Sequence, residues 1–154
     1  MQFPVEQLKS RLDQTILPAY LLYGEEPQQL TEALDLIRAA TFSKGFSERV
    51  TLFAESSFDW TMLRSALEVS PLFAEKTVVD CRLSGNQPDK TGVAILEDYL
   101  AHPCADIVLL LSTQKLSKTA ARSNWLKQIK SLGQVQQFKP LSGKLLLDWL
   151  IQRA

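Results

Sequence analysis

Ile107, Val108, Leu109, Leu110 and Leu111 follow one another with no polar residue among them, and this run limits the possible folds more than any other feature. A short aliphatic stretch bounded by polar residues reads as a strand buried on both faces, the kind found at the centre of a parallel sheet. Such a strand needs a layer of helices above it and another below.

The rest of the sequence supplies both kinds of element in alternation. Ala19, Tyr20, Leu21, Leu22 and Tyr23, closed by Gly24, read as a first strand. Leu30, Ala33, Leu34 and Ile37 then recur at the three- and four-residue spacing of an apolar helix stripe. Residues 50–53 read as a second strand, and Trp60, Leu63, Ala66 and Leu67 as a second helix that Pro71 stops. Residues 77–81 form a third expected strand, 92–101 a third helix, and the run at 107–111 the fourth strand. A helix from Ser117 carries Ala121, Trp125, Ile129 and Leu132 on one stripe. A short strand at 135–138 and a last, nearly all-apolar helix through Trp149 complete the pattern. Strand and helix repeated with connections too long for hairpins predict an α/β domain: a parallel five-stranded sheet with helices on both faces.

Composition agrees and narrows little. The 154 residues suit one domain, and 45% hydrophobic with 22% charged residues is ordinary for a globular chain. No apolar run approaches a membrane span. The start Met1, Gln2, Phe3, Pro4 has no cationic segment leading into a long apolar one, so a cytoplasmic setting with reduced thiols is expected. Cys81, Cys104 and His102 are too few for a four-ligand structural zinc site, and no metal is expected. Lys plus Arg equals Asp plus Glu at 17 each, but unevenly: residues 1–77 hold 7 basic and 11 acidic residues, residues 78–154 hold 10 and 6. Between Asp106 and Asp148 there is no acid, while Lys115, Lys118, Arg122, Lys127, Lys130, Lys139 and Lys144 are all present. This span is either the solvated face of one helix and its flanks or a surface for an acidic partner or a phosphate backbone.

In a parallel α/β fold the first strand-to-helix turn is the usual phosphate site. Here it reads Gly24, Glu25, Glu26, Pro27, Gln28, Gln29, Leu30, Thr31. Against the pattern G-x-x-x-x-G-K-[ST], Gly24 and Thr31 stay, while Gln29 replaces the second glycine and Leu30 the phosphate-binding lysine. Two glutamates add repulsion and Pro27 removes an N–H donor. No nucleotide cofactor is expected. Asp80 ends the third strand much as a magnesium-holding acid would, but with no phosphate to bridge it reads as a surface or strand-end carboxylate. Glu97 and Asp98 are neighbours on a helix, about 100° apart, and cannot converge as an acid/base pair. His102, before Pro103 at a helix end, reads as structural, and no nucleophile motif is present.

Val69, Ser70, Pro71, Leu72, Phe73 and Ala74 lie between the second helix and the third strand. Two large apolar side chains in a turn either fold back on their own core or project as a plug for a partner's pocket. Full burial of the pair is worth roughly 3–6 kcal/mol, enough to anchor an interface but not to bind alone.

Residues 18–27, the turn at Ser70, Pro71, Leu72 and Phe73, and the run 107–111 leading to Lys115, Leu116, Ser117 and Lys118 together resemble the N-terminal region of the delta-subunit family of bacterial DNA polymerase III, a clamp-loader component. The resemblance implies an AAA+ P-loop NTPase fold with a degenerate nucleotide site and no catalysis by this chain, polymerase and ATPase activity residing in other subunits. It implies a partner, the sliding clamp (beta subunit), gripped by Ser70, Pro71, Leu72 and Phe73, with the leucine-phenylalanine pair in an apolar pocket. The ring is then opened, or held open, for loading onto DNA. It further implies contact with other loader subunits, and with DNA through the complex. Family members run to more than twice this length, so residues 1–140 are expected to be the clamp-binding domain and 141–154 a linker helix into a second domain. The alternatives are a DNA-binding module, resting on the basic span from Lys115 to Lys144, and a degenerate P-loop nucleotide-binding protein.

Overall fold

The computed structural model describes residues 4–25, 27–55, 58–68, 76–83, 88–116 and 118–138. Their elements alternate as the hydrophobic pattern predicts, after one helix that it missed. In chain order they are α1 (Pro4–Gln14), β1 (Ala19–Tyr23), α2 (Pro27–Ser43), β2 (Glu48–Ala54), α3 (Thr61–Leu67), β3 (Thr77–Leu83), α4 (Lys90–Ala101), β4 (Ile107–Thr113), α5 (Lys118–Ala121), α6 (Asn124–Leu132) and β5 (Gln134–Gln137). The five strands form one sheet in the order β2-β3-β4-β1-β5, and every pairing is parallel. The aliphatic run is the middle strand, and all seven residues of β4 are buried.

Side chains alternate across a strand, so neighbouring residues of β1 and β4 enter different cores. Leu21, Leu109 and Leu111 pack with Trp60 and Leu63 around α3, Leu96 of α4, and Trp125 and Ile129 of α6. Tyr20, Leu22, Val108 and Leu110 pack on the other face with Leu8 and Leu12 of α1 and Ala33 and Ile37 of α2. The order of strands follows: two covered faces keep the most apolar strand central, while β2, with four exposed residues in seven, takes an edge.

Local chemistry sets several boundaries. Pro27 opens α2, where a missing N–H costs nothing. Asp89 caps α4 by accepting a 3.0 Å bond from the Gly92 N–H. A side chain at Gly92 would meet the Trp60 ring at 2.8 Å, so the glycine lets α4 lie against the lead into α3. Three expectations need correction. The expected single helix from Ser117 is two, α5 and α6, because Ser123 turns extended and its hydroxyl bonds back to the Ala120 carbonyl at 2.6 Å. Ala121 is consequently exposed and off the apolar stripe of Trp125, Leu126 and Ile129. The second helix ends at Leu67, where Glu68 turns extended, ahead of Pro71. The expected last helix and the 140/141 division fall at or beyond the edge of the described residues.

Candidate functional site

The turn after β1 sits at the carboxyl edge of the sheet, where a phosphate would bind in a nucleotide-binding relative of this topology. Gly24 donates its N–H to the Thr113 carbonyl at 3.2 Å. A side chain on it would come within 2.0 Å of the Phe138 carbonyl oxygen. The glycine is thus required by the backbone that leaves β5, with no appeal to a ligand. Gln29, in the place of the second glycine, is buried in α2, and Leu30 lines a cleft of about 410 Å³ together with Pro27, Thr31, Arg82, Leu83 and Ser112. Glu25 stands exposed at its rim. Leu30 gives the cleft an aliphatic side chain where the phosphate-binding pattern has a lysine.

Among the described residues, the one cation lining that cleft is engaged elsewhere. An Arg82 Nη lies 3.7 Å from Asp80 Oδ2, and its guanidinium lies over the Phe53 ring, 5.3 Å from the centroid. Asp80 itself overturns its expected role. It is fully buried within β3 and accepts a 2.6 Å bond from Arg38 of α2, so it is neither a surface group nor directed at a metal. The next residue, Cys81, faces the other core, where burial and then the Asp80 charge push its thiol up to about 12. Among the described residues, no three His, Cys, Asp or Glu side chains converge as a metal site, and both cysteines are free thiols. His102 is the exposed C-cap of α4, placed at a helix end as expected.

The described residues that flank the second candidate lie on the opposite rim. Parallel strands all run one way, so the segment entering β3 is at the amino edge, the full height of the sheet from Gly24. Ser70, Pro71, Leu72 and Phe73 lie outside the described residues; the described residues on either side of them are hydrogen-bonded. Glu68 donates its N–H to the Ser65 carbonyl at 3.3 Å. Beyond the segment, the Lys76 carbonyl accepts from Glu48 N–H at 3.2 Å and Thr77 N–H donates to Asp106 at 2.8 Å. The Lys76 ammonium also sits 5.4 Å from the Phe46 ring centroid. Beside the end of α3, Arg64, Leu67, Glu68, Asp98 and His102 line a groove of about 260 Å³.

The basic span forms a third feature. Lys115, Lys118, Arg122, Lys127 and Lys130 are all exposed, the last two on the outer face of α6 opposite Trp125 and Ile129. No acid occurs between Ile107 and Phe138 to neutralise them.

Comparison with known proteins decides the family. The family model for the DNA polymerase III delta subunit matches residues 20–139. The chain belongs to the DNA polymerase III delta subunit family. It is 31% identical to the Escherichia coli K12 DNA polymerase III subunit delta over 125 residues, which is 78% of this chain and 35% of that protein. The Haemophilus influenzae subunit delta is 31% identical over 126 residues, 80% of the chain and 35% of the relative. The chain thus spans about a third of the length of these relatives. A Bacillus subtilis DNA clamp loader delta protein shares the fold at a TM-score of 0.69 and 22% identity, over 96% of this chain and 46% of that one. A DNA polymerase III gamma subunit-related protein from Thermotoga maritima shares it at 0.50 and 16%, over 97% of this chain and 50% of that one. The expected parallel α/β fold is thus shared with a DNA clamp loader delta protein, and the family is that of the delta subunit of DNA polymerase III.

Sequence reading missed the Arg38, Asp80 and Arg82 group. One sign of it was visible: a carboxylate between Val79 and Cys81 in an apolar run needs a buried cation, and Arg38 directly follows Ile37 on the buried stripe of α2.

Proposed function

We propose that this chain is the clamp-contacting arm of a clamp loader, gripping the sliding clamp through Ser70, Pro71, Leu72 and Phe73. Pro71 fixes φ and presets the turn, and Leu72 and Phe73 enter an apolar pocket on the clamp. A ligand opens a ring only as far as it binds the open form better than the closed one. The apolar pair anchors, and neighbouring parts of the same rim make contacts compatible only with an open interface. The other loader subunits supply ATP hydrolysis and hold this arm in the assembly, in the cytoplasm.

The observation that carries this reading is a family match whose bounds include all four residues. Two structural facts support it. Leu30 and Glu25 leave the cleft after β1 without the groups that hold a polyphosphate. The described residues before and after the apolar pair, Glu68, Lys76 and Thr77, are hydrogen-bonded at the rim away from that cleft. Titration of a sliding clamp by calorimetry tests the proposal: the Leu72→Ala, Phe73→Ala double variant loses binding while its circular dichroism is unchanged. Equal binding by the two proteins refutes the site.

The exposed cations at 115, 118, 122, 127 and 130 favour a second role, contact with DNA phosphates through the assembled loader. Phosphate binding releases counterions and weakens steeply with salt, whereas an apolar plug is nearly indifferent to it. A salt series on DNA binding and on clamp binding separates the two.

A further inference from the structure

The face of the sheet that carries α2 is open beyond that helix, towards edge strand β2. Side chains alternate along a strand, so Arg49, Thr51 and Phe53 share one face and stand in register with Val78, Asp80 and Arg82 of β3. Arg82 lies over the Phe53 ring, and Arg38 of α2 reaches Asp80, which puts this face on the α2 side of the sheet. Phe53 is 58% exposed, and Phe42, one turn beyond Arg38 on α2, is 68% exposed. Arg38, Thr41, Phe42, Phe46, Arg49 and Val78 line a groove of about 300 Å³ between the helix and the strand.

The loop from α2 to β2 is held in place beside the groove. Gly45, at φ +98°, makes the left-handed step, its N–H donates to the Phe42 carbonyl at 3.1 Å, and the Phe46 N–H donates to the Thr41 carbonyl at 3.0 Å. The charges do not cancel. Asp35 and Asp80 balance Arg38 and Arg82 in one network. Lys44, Arg49 and Lys76 are exposed and in no ion pair among the described residues, and Glu48 belongs to the other side of β2 by the same alternation. Positive charge is therefore in surplus beside two uncovered phenyl rings.

We infer that this face binds single-stranded nucleic acid, with phosphates at Lys44, Arg49 and Lys76 and bases stacked on Phe42 and Phe53. A positively charged groove with exposed aromatic rings holds an unpaired strand without reading its sequence. Cations alone would also accept an acidic peptide. The rings decide, because the electron-rich face of a phenyl ring disfavours a carboxylate and stacks on a base. A duplex fits less well, since its base faces are already stacked on one another. Arg49 and Phe53 are four residues apart, about 13 Å along the strand, so one strand lying along β2 reaches both the groove and the outer ring. The site is at the opposite edge of the sheet from β5 and from the cations of α6, which packs on β5 and β1. It depends neither on the clamp reading nor on the phosphate contacts proposed for those cations.

Fluorescence anisotropy of a labelled oligothymidine titrated with the 154-residue chain tests this. The wild type is expected to bind, with an affinity that falls steeply as salt rises. Phe42→Ala with Phe53→Ala weakens binding roughly tenfold or more at fixed salt, whereas Phe42→Trp with Phe53→Trp keeps it. Both rings are exposed, so circular dichroism is unchanged in either pair. Arg49→Glu weakens binding and flattens its salt dependence, while Lys127→Glu with Lys130→Glu on α6 leaves it as it was. A wild type that does not bind the oligonucleotide at low salt overturns the inference. So does binding that the alanine pair leaves intact or that only the α6 pair abolishes. Displacement of the label by polyglutamate as readily as by unlabelled oligothymidine also overturns it, and points to an acidic protein partner instead.

Discussion

Replacing Arg38 with alanine removes the only close partner, among the described residues, of a carboxylate that has no exposure to water. Asp80 Oδ2 accepts from Arg38 at 2.6 Å, while Arg82 stands 3.7 Å away and Oδ1 has no hydrogen-bond partner among the described residues. Breaking a buried pair on one side costs about 3–5 kcal/mol, because the remaining charge keeps its desolvation penalty. The Arg38 side chain is 18% exposed, so water can enter where it stood, and Arg82 can swing closer. Both place the cost near the low end, about 3 kcal/mol. At 2–4 °C per kcal/mol for a domain of this size, the melting temperature falls roughly 6–12 °C. Guanidinium unfolding followed by circular dichroism reads the change as a lower midpoint with an unchanged slope. The double variant Arg38→Met, Asp80→Leu removes both charges and recovers most of the loss. An Arg38→Ala protein within about 1 kcal/mol of wild type, or a double variant no better than the single one, refutes the assignment of a buried pair.

Alkaline pH acts on Cys81, Tyr20 and Tyr99, all raised first by burial, the thiol from 9.0 to about 12 and the phenols above 10.0. Above about pH 9 the unfolded chain releases protons that the native chain keeps, so stability is full below that value and falls as pH rises towards 12. Denaturation midpoints at a series of pH values check the sign, and a midpoint that rises contradicts it. Iodoacetamide is expected to label Cys81 only after unfolding, since the buried group stays a thiol. Gly133→Ala would place a methyl 1.7 Å from the Ala19 carbonyl oxygen of β1, where the backbone cannot step aside, and is expected to cost about 3 kcal/mol or more in chemical denaturation. Adding ATP and magnesium is expected to leave the melting temperature unchanged, because Leu30 and Glu25 occupy the phosphate position. An upward shift would revive the nucleotide-binding reading.

The sheet was legible because its information is carried by runs of like residues. The five aliphatic residues of β4 announce a doubly covered strand, and the stripe Leu30, Ala33, Leu34, Ile37 announces the helix that covers it. Helix α1 escaped notice because its buried Leu8 and Leu12 are separated by polar residues, and their burial depends on Ala33 and Ile37 from a distant stretch. The break between α5 and α6 was hidden for a related reason. Ser123 can either continue a helix or start one, and bonding its hydroxyl to Ala120 decides between them only in three dimensions. The loss of phosphate chemistry was plain at Gln29 and Leu30, since it concerns residue types at fixed spacing. The fate of Asp80 was not, because its partner Arg38 is 42 positions away. Leu72 and Phe73 were conspicuous as two apolar residues in an expected turn, but their proposed role entered through family resemblance rather than through composition or spacing.

The proposed clamp binding by Leu72 and Phe73 is tested most directly by isothermal calorimetry with a purified sliding clamp. The wild-type chain is expected to bind with a negative heat-capacity change, the mark of apolar burial, and with an affinity little altered between low and high salt. The Leu72→Ala, Phe73→Ala variant, equally folded, is expected to lose roughly 3–6 kcal/mol of binding free energy, which abolishes measurable heat. Retained binding by the double variant, or binding that collapses with salt, would contradict the account.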